Sequence, residues 1–246
     1  MTRPTFLHPG AGTLRPGDAT RLEGSEGHHA AVVRRLRAGE QLTLTDGAGT
    51  VADAEVDAVG KGVLDLRVLD TRTESAPTPR LVVVQALTKG DRGELAVEVV
   101  TEIGADVVVP WAADRAVVRW TGERGAKSLQ RWRTTAREAA KQSRRAWFPE
   151  VTEVAGSDEV VALLERATTA VVLHEQAGTP VGDVEPPASG DLVLVVGPEG
   201  GITDDELERF AAAGATAVRL GPTVLRASTA GVAAAAALLS RTPRWG

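Results

Sequence analysis

The stretch LVLVVGPEGGITDDEL, residues 192–207, places an apolar run before a glycine-rich turn and an acidic segment. Gly197, Gly200 and Gly201 permit positive φ and a close approach of the backbone to a ligand. Thr203 and Glu206 have the spacing of a capping box, which begins a helix. A strand, a glycine turn and a helix N-terminus in this order are typical of an anion or nucleotide site.

The turn nevertheless departs from both common nucleotide motifs. It lacks the Gly-Lys-Ser/Thr ending of a P-loop and the G-x-G-x-x-G of a dinucleotide fold. Four carboxylates occur in the same stretch, at Glu199, Asp204, Asp205 and Glu206. Because they would repel a phosphate, we expect a phosphate-free ligand with positive charge, such as S-adenosylmethionine (SAM). The residues also leave open a plain strand-to-helix turn whose acids serve the helix dipole.

Two further predicted strands end in small or polar residues. Residues 171–173 run into His174 and Glu175, and residues 217–220 run into Gly221 and Pro222. In an open parallel sheet, ligands bind beyond the carboxyl ends of the strands. Each of these ends is unremarkable alone, but together with the glycine turn they predict one ligand site.

Composition limits the class of protein. The chain has 246 residues, 43% of them hydrophobic, as is usual for a globular protein. It has no cysteine, which excludes disulfides and thiolate chemistry. The first residues lack the apolar core of a signal peptide, and no apolar run approaches the roughly 18 residues of a membrane helix. We therefore expect a cytoplasmic protein that does not enter a membrane.

One basic block stands out in this acidic chain. The net charge is −5, but residues 115–147 hold ten basic and two acidic side chains. Trp120, Trp132 and Trp147 are interleaved with the cations, which suggests stacking on unpaired bases. Trp132 also lies on the apolar stripe of a predicted helix, which favours a core position for it. The block predicts binding of a polyanion.

The kind of predicted secondary structure changes near residues 75–79 (SAPTP), which we predict to be a linker. Before it, strands are predicted at 41–44, 49–54 and 63–69, with a helix at 27–37 that Gly39 ends; these indicate a small β-barrel or curled sheet. After it, strands and helices alternate, which predicts an α/β fold with a parallel sheet. The strands are 81–86, 107–109 (ended by Pro110), 170–174, 192–197 and 217–221; the helices are 91–103, 129–145, 158–166, 204–213 and 229–239.

Seven stretches, in this order and spacing, resemble the RsmE family of SAM-dependent methyltransferases, which modify uracil N3 in 16S ribosomal RNA and belong to the SPOUT superfamily. The stretches are residues 27–40 (GHHAAVVRRLRAGE), 86–94 (ALTKGDRGE), 101–110 (TEIGADVVVP), 131–151 (RWRTTAREAAKQSRRAWFPEV), 173–175 (LHE), 197–207 (GPEGGITDDEL) and 220–230 (LGPTVLRASTA). The resemblance covers nearly the whole chain.

The resemblance implies an RNA-binding PUA-like β-barrel at residues 1–75 and a SPOUT methyltransferase domain at 80–246. The second domain would carry a C-terminal trefoil knot whose loops hold SAM, and the protein would work as a homodimer. Carried onto this chain, the cofactor-binding residues are Leu173, His174, Glu175, Gly197, Pro198, Glu199, Gly200, Gly201, Leu220, Gly221, Val224, Leu225 and Thr229.

The reaction so implied removes a weakly acidic ring N–H, so a proton acceptor and a donor to the uracil oxygens are needed. We assign the donor to Arg226 and the carboxylate, as base or for orientation, to Glu199. Contacts to the RNA are expected from Arg3, His28, His29, Arg34, Arg35, Lys89, Arg92, Arg133, Arg137, Lys141, Arg144 and Arg145, the last of them on or after a helix whose outer face is basic. No metal is expected, because His28 and His29 have no acid or cysteine at a matching spacing.

Two positions depart from the family pattern. Ser228 stands where a glutamate is expected, although Ser228 and Thr229 can still cap the last helix. Gly93 replaces a larger apolar residue, which indicates a packing difference. Three alternatives stay open: a SPOUT ribose 2′-O-methyltransferase, an RNA-binding assembly protein whose catalysis has lapsed, and an enzyme that binds a phosphate ligand at the glycine turn.

Overall fold

The computed structural model describes residues 3–245 and divides into two compact units, residues 3–76 with 140–148, and residues 77–139 with 149–245. The strands are β1 Thr5–Leu7, β2 Ala19–Leu22, β3 Gln41–Thr45, β4 Thr50–Gly60, β5 Val63–Thr73, β6 Arg80–Ala86, β7 Val107–Trp111, β8 Glu150–Val151, β9 Thr169–Leu173, β10 Thr179–Pro180, β11 Asp191–Val196 and β12 Thr216–Arg219. The helices are α1 Gly24–His28, α2 Arg92–Ile103, α3 Gly122–Gln142, α4 Ser157–Leu164, α5 Asp204–Ala212 and α6 Ala227–Leu239. Within residues 3–245, no helix is long and apolar enough to cross a membrane.

The first unit is a five-stranded sheet in the order β1-β3-β4-β5-β2. β1 pairs with β3 in parallel and the other pairs are antiparallel. The long strand β4 carries two register shifts against β5, and such bulges curl a sheet. Its core is apolar and includes Phe6, Leu42, Leu44, Leu64 and Leu66. The curled sheet matches the predicted kind of fold, but β1 and β2, of three and four residues, are too short to give an alternating pattern.

The predicted helix at 27–37 is wrong in its bounds and in its end. The structure has α1, then a single π-helical turn at His29–Val33. The chain leaves this turn at Arg35, whose φ of +56° is left-handed. Gly39 has a positive φ as well but lies four residues further on, so it does not end the helix.

Residues 140–148 belong to the first unit, although the sequence placed them in the second domain. The indole N–H of Trp147 donates to the carbonyl of Glu74 at 2.9 Å. The indole lies against Gly49, where an added Cβ would come within 2.6 Å of the ring. Gly49 N–H also donates to the carbonyl of Ala146 at 3.0 Å. Trp147 therefore packs within the first unit but is only half-buried, and its stacking on RNA bases stays a prediction.

The second unit is a seven-stranded sheet in the order β10-β12-β9-β11-β6-β7-β8, with every pair parallel, as the alternating pattern predicted. Alternate residues of β6 and β11 face opposite sides. One face packs against α2, α3 and α6, and the other against α4 and α5. Pro110 does not end its strand as predicted, because it pairs with Gln85 inside β7.

Two glycines allow close packing on the face with α2, α3 and α6. Gly93 in α2 lies against Trp132 of α3, and an added Cβ would be 2.8 Å from the indole Cζ2. The larger apolar residue expected at position 93 is absent because Trp132 fills that space. Gly231 in α6 lies against Val100 and Val196, where an added Cβ would be 3.3 Å from each. The small residues of α6 therefore permit its close approach to α2 and β11.

Candidate functional site

The loops after β9, β11 and β12 surround one cavity of about 340 Å³. β9 lies between the other two strands and all run parallel, so their carboxyl ends share one edge of the sheet. The lining comes from residues 173–175, 196–199, 201–202 and 218–227, with Arg92 and Ala230. Its size falls in the range of roughly 300–1,000 Å³ found for small-molecule sites.

The glycine turn after β11 forms one wall of this cavity. Gly197 lies so close to Ile202 that an added Cβ would be 2.7 Å from its Cγ1. Gly201 adopts a φ of +77°, and its N–H donates to the carbonyl of Pro198 at 2.9 Å. The chain can fold back on itself here only because these positions lack side chains.

The helix after the turn begins as predicted. Thr203 is the N-cap of α5, and its hydroxyl accepts from Glu206 N–H. The Glu206 carboxylate is buried and accepts from Thr203 N–H at 3.1 Å, Thr203 Oγ1 at 3.0 Å, Asp114 N–H at 2.9 Å and the Ser157 hydroxyl at 2.8 Å. Burial alone would raise the pKa of Glu206, but these hydrogen bonds outweigh it and lower the pKa below its ordinary value.

Three of the four carboxylates that were expected to repel a phosphate do not line the cavity. Glu206 is buried in the capping network, and Asp204 and Asp205 are exposed on α5 outside the cavity lining. Glu199 does line the cavity, and its Oε1 lies 3.4 Å from Nη1 of Arg92. The charged lining is therefore mixed: Glu175 and Glu199, with Arg92, Arg219 and Arg226.

The structure brings together around this cavity eleven of the thirteen residues predicted to bind a cofactor. They are Leu173, His174, Glu175, Gly197, Pro198, Glu199, Gly201, Leu220, Gly221, Val224 and Leu225. Gly200 instead backs onto Arg115, and the Thr229 hydroxyl donates to the Arg226 carbonyl at 3.3 Å. Both predicted catalytic residues, Glu199 and Arg226, line the cavity.

The start of α6 differs from the prediction. Its N-cap is Arg226, so Ser228 and Thr229 lie inside the first turn and do not cap the helix. Ser228 is 4% exposed and does not line the cavity. Sequence reasoning also missed Arg219, the last residue of β12, which lines the cavity. Its position at the end of a predicted strand was the signal that could have found it.

A second cavity of about 150 Å³ lies on the other side of the first turn of α2. Gly90, Asp91 and Glu94 line this cavity, whereas Arg92 lines the larger one. Trp120 and Trp132 meet edge to face in its wall, with ring centroids 4.9 Å apart. The remaining lining residues are Thr88, Val118, Ser128 and Arg131. The hydroxyl of Thr88 is buried and has no hydrogen-bond partner among residues 3–245.

Several residues of the basic block have structural partners. Arg119 donates to the carbonyls of Ala113 at 2.9 Å, Asp114 at 2.8 Å and Ala116 at 2.7 Å. Arg133, predicted to contact RNA, donates to the carbonyl of Val151 at 3.1 Å and forms a 2.7 Å ion pair with Glu153. Trp132 is 3% exposed, in keeping with its place on the apolar stripe. These groups hold loops and strands together within the second unit.

Lys141 does not lie on an outer face as predicted. It is 5% exposed, and its Nζ lies 2.7 Å from Oε1 of Glu26 within the first unit. The reason is that the last turn of α3 packs into that unit, which the periodicity of α3 alone could not show. Among the other residues predicted to contact RNA, Arg3 pairs with Asp53 at 2.6 Å, and Arg145 is half-buried. His28, Arg34, Arg35, Lys89, Arg92, Arg137 and Arg144 are exposed, and His29 is half-buried.

Comparison with known proteins identifies the family. A family model described as an RNA methyltransferase domain matches residues 74–239, and one described as an RNA methyltransferase PUA domain matches residues 22–69. Proteins named ribosomal RNA small subunit methyltransferase E include one from Mycobacterium bovis, 48% identical over 91% of this chain and 87% of the relative. Another, from Bacillus subtilis, is 30% identical over 90% of each chain.

Solved structures of the same kind share the fold. The Neisseria gonorrhoeae ribosomal RNA small subunit methyltransferase E, solved bound to S-adenosyl methionine, superposes with a TM-score of 0.85. It is 28% identical, over 97% of this chain and 98% of its own. A Legionella pneumophila methyltransferase, solved with the bound cofactor SAM, gives a TM-score of 0.86 and 29% identity over 98% of this chain and 99% of its own. The chain thus belongs to the RsmE family of RNA methyltransferases and has the parallel-sheet α/β methyltransferase fold, preceded by a PUA-like domain.

Proposed function

We propose that this chain transfers a methyl group from SAM to N3 of a specific uridine in the 16S ribosomal RNA of the small subunit. The observation that carries the proposal is the cavity at the ends of β9, β11 and β12. Its loops contain the LHE, GPEGG and LGPTVLR stretches through which the chain resembles its family. The names of the relatives, and the SAM in two solved neighbours, support the same assignment.

The lining of the cavity fits SAM. Adenine is a flat and largely apolar ring, for which Leu173, Leu220 and Leu225 supply apolar walls. SAM also carries a sulfonium, an ammonium and a carboxylate, and a lining with both signs of charge suits such a ligand. Glu175 and Glu199 are the carboxylates available to its cationic groups. The glycines of the turn leave backbone groups open to the ligand.

Besides orienting the substrate, the protein must supply a proton acceptor and a hydrogen-bond donor. Bound in this cavity, SAM supplies an electrophilic methyl group. Uracil N3 becomes a good nucleophile once its proton leaves, and Glu199, oriented by Arg92, is the acceptor for that proton or orients the base. Charge then grows on the uracil oxygens, where the guanidinium of Arg226 donates hydrogen bonds. Both residues line the same cavity, which is what such a division of roles requires.

The second cavity, beyond the first turn of α2, is suited to a base of the RNA. It combines the half-buried indole of Trp120, which is backed by the buried Trp132, with hydroxyls of Thr88 and Ser128. Single-stranded bases are bound by aromatic stacking and by hydrogen bonds to their edges. The unpartnered Thr88 hydroxyl is a donor and an acceptor for such an edge. The charged residues of the lining are Asp91, Glu94 and Arg131, and Lys89 and Arg92 are exposed on the same loop and turn.

The larger organisation follows the family. We propose that the PUA-like unit binds the RNA, that the enzyme is a cytoplasmic homodimer, and that the chain forms a C-terminal trefoil knot. The order β12-β9-β11 and the packing of α6 on the face with α2 support the knot. After β12, the chain returns past β9 and β11 to place α6 there. The first unit then serves RNA binding and the second serves methyl transfer.

Calorimetry with SAM and with ATP tests the cofactor. We expect saturable binding of SAM and none of ATP; binding of ATP alone would indicate the phosphate-ligand alternative. No binding at millimolar SAM would point to an RNA-binding protein whose catalysis has lapsed. Methyl transfer to a ribose 2′-hydroxyl would indicate the other SPOUT chemistry.

A further inference from the structure

A concavity of about 130 Å³ lies within the first unit. It collects five of the twelve residues predicted to contact RNA, which come from three separate parts of the chain. They are Arg3, His29, Arg34, Lys141 and Arg144, and the lining is completed by Pro4, Thr5, Phe6 and Gln142. Such a convergence of cations makes the concavity a defined candidate site within the first unit.

The charges of this concavity are only partly neutralised. Arg3 pairs with Asp53, and the buried Lys141 pairs with Glu26. Arg34 and Arg144 are exposed, and neither has an acidic group within 4 Å in the part of the chain that the structure describes. The concavity thus presents about two uncompensated positive charges, and guanidinium forks bind phosphate oxygens bidentately.

The backbone at Arg144 provides an independent observation. Arg144 N–H donates to the carbonyl of Lys141 at 3.1 Å, and Arg145 N–H donates to that of Ala140 at 2.9 Å. These two bonds form a Schellman motif at the end of α3, with Arg144 at the position where glycine is preferred. Its φ is +56°, a conformation that costs a residue with a side chain free energy. A long cationic side chain at a glycine position needs a reason other than the fold.

We propose that this concavity binds a backbone phosphate of the RNA substrate, with Arg34 and Arg144 as its two ligating cations. The ion pair with Glu26 fixes Lys141 at the base of the concavity, because Glu26 is itself held in place: its Oε2 accepts from Leu7 N–H at 3.1 Å. Phe6 offers a base no face for stacking because it is 1% exposed, and the guanidinium groups of the lining favour a phosphate. The inference rests on the proposed function in that the phosphate belongs to the methylated RNA.

The variant Arg144→Gly tests this site without damaging the fold, because glycine is the preferred residue at that helix end. We expect its unfolding midpoint to be equal to or higher than that of the wild type. RNA binding should weaken about five-fold, and the slope of log K against log salt should fall by about 0.7–0.9, the loss of one phosphate contact. The control is Lys61→Ala, which removes one exposed cation at the β4–β5 turn; its RNA affinity should stay within two-fold.

A double-mutant cycle with Arg34→Ala sharpens the test. If Arg34 and Arg144 hold one phosphate, the double variant should lose less affinity than the product of the two single losses. Equal losses for Arg144→Gly and Lys61→Ala, or independent losses in the cycle, would overturn the site. The binding assay needs no SAM and no methyl transfer, so it can fail while the proposed catalysis holds. Conversely, absence of methyl transfer by the wild type would leave the RNA-binding result standing.

Discussion

The guanidinium of Arg92 lies 3.4 Å, from Nη1 to Oε1, from the carboxylate of Glu199. Arg92 begins α2 and Glu199 belongs to the glycine turn after β11, so the pair joins the first turn of α2 to the wall of the cavity. Their side chains are 50% and 34% exposed, and an ion pair with such exposure contributes at most about 1 kcal/mol to stability. The main effect of the Arg92–Glu199 ion pair is therefore to orient Glu199.

Glu199→Gln should lower kcat by about 100-fold or more if the carboxylate accepts the N3 proton, the usual size of a general-base effect. The free energy of unfolding should change by less than about 1 kcal/mol, because the pair is partly exposed. Steady-state kinetics and urea denaturation measure the two quantities. The control is Asp205→Asn, which removes an exposed carboxylate of the same stretch outside the cavity. A kcat within a few-fold of the wild type would remove Glu199 from the chemistry.

Arg226→Lys should lower kcat by about 100-fold, since a lysine keeps the charge but loses the planar fork that donates to the uracil oxygens. SAM affinity, measured by calorimetry, separates loss of the donor from loss of the cofactor. Arg166→Ala, at the exposed end of α4, should leave kcat unchanged. If Arg226→Lys changed only the Kd for SAM, the residue would be a cofactor ligand and not the donor.

Gly93→Ala tests the packing of α2 on α3. Alanine favours a helix over glycine by up to about 1 kcal/mol, but its Cβ would lie 2.8 Å from Trp132 Cζ2. We expect the clash to outweigh this gain, so that the free energy of unfolding, measured by urea denaturation, falls by about 1–3 kcal/mol. Gly178→Ala, where a Cβ meets nothing within 4 Å, is the control. Combining Gly93→Ala with Trp132→Phe should recover part of the loss, and a fully additive result would refute the contact.

Glu206 should make stability sensitive to acid. Its pKa in the folded state is lowered, while in the unfolded chain it is about 4.3. The stability that it contributes is therefore present above about pH 4.3 and is lost as the pH falls through the lower folded-state pKa. Glu206→Gln should cost about 1–3 kcal/mol at pH 7, because buried donors lose their acceptor.

The difference in the free energy of unfolding between wild type and Glu206→Gln should shrink as the pH is lowered from 6 to 3. Urea denaturation at several pH values measures it, with the exposed Asp204→Asn as a control whose offset from wild type stays small. A difference that is constant with pH would show that the carboxylate is not held ionised by this network.

The sequence predicted the site better than it predicted the surface of the protein. The strands β9, β11 and β12 are apolar runs with polar or glycine ends, and a parallel sheet brings such ends together whatever the details of packing. The capping box at Thr203 and Glu206 is equally local, so it was predicted correctly. Local patterns of this kind are predictable because they depend on residues that are close together in the sequence.

The errors arose where tertiary packing decides. Lys141 is spaced as an outer residue of its helix, but packing within the first unit buries it against Glu26. Residues 140–148 were placed in the second domain, yet the indole of Trp147 packs against Gly49 of the first unit. The end of the helical segment at Arg35 lacks the glycine that signals such an end. Glu26 and Gly49 cannot be identified from the residues around Lys141 and Trp147, because each lies far away in the chain.

The most direct test of the proposed activity is a methylation assay with SAM on small ribosomal subunits and on naked 16S ribosomal RNA lacking the modification, followed by identification of the modified nucleoside. We predict 3-methyluridine at a single site, and none of it with Glu199→Gln or Arg226→Lys over the same time course. A 2′-O-methylated nucleoside, or no methylation of either substrate by a wild-type protein that binds SAM, would contradict the proposal.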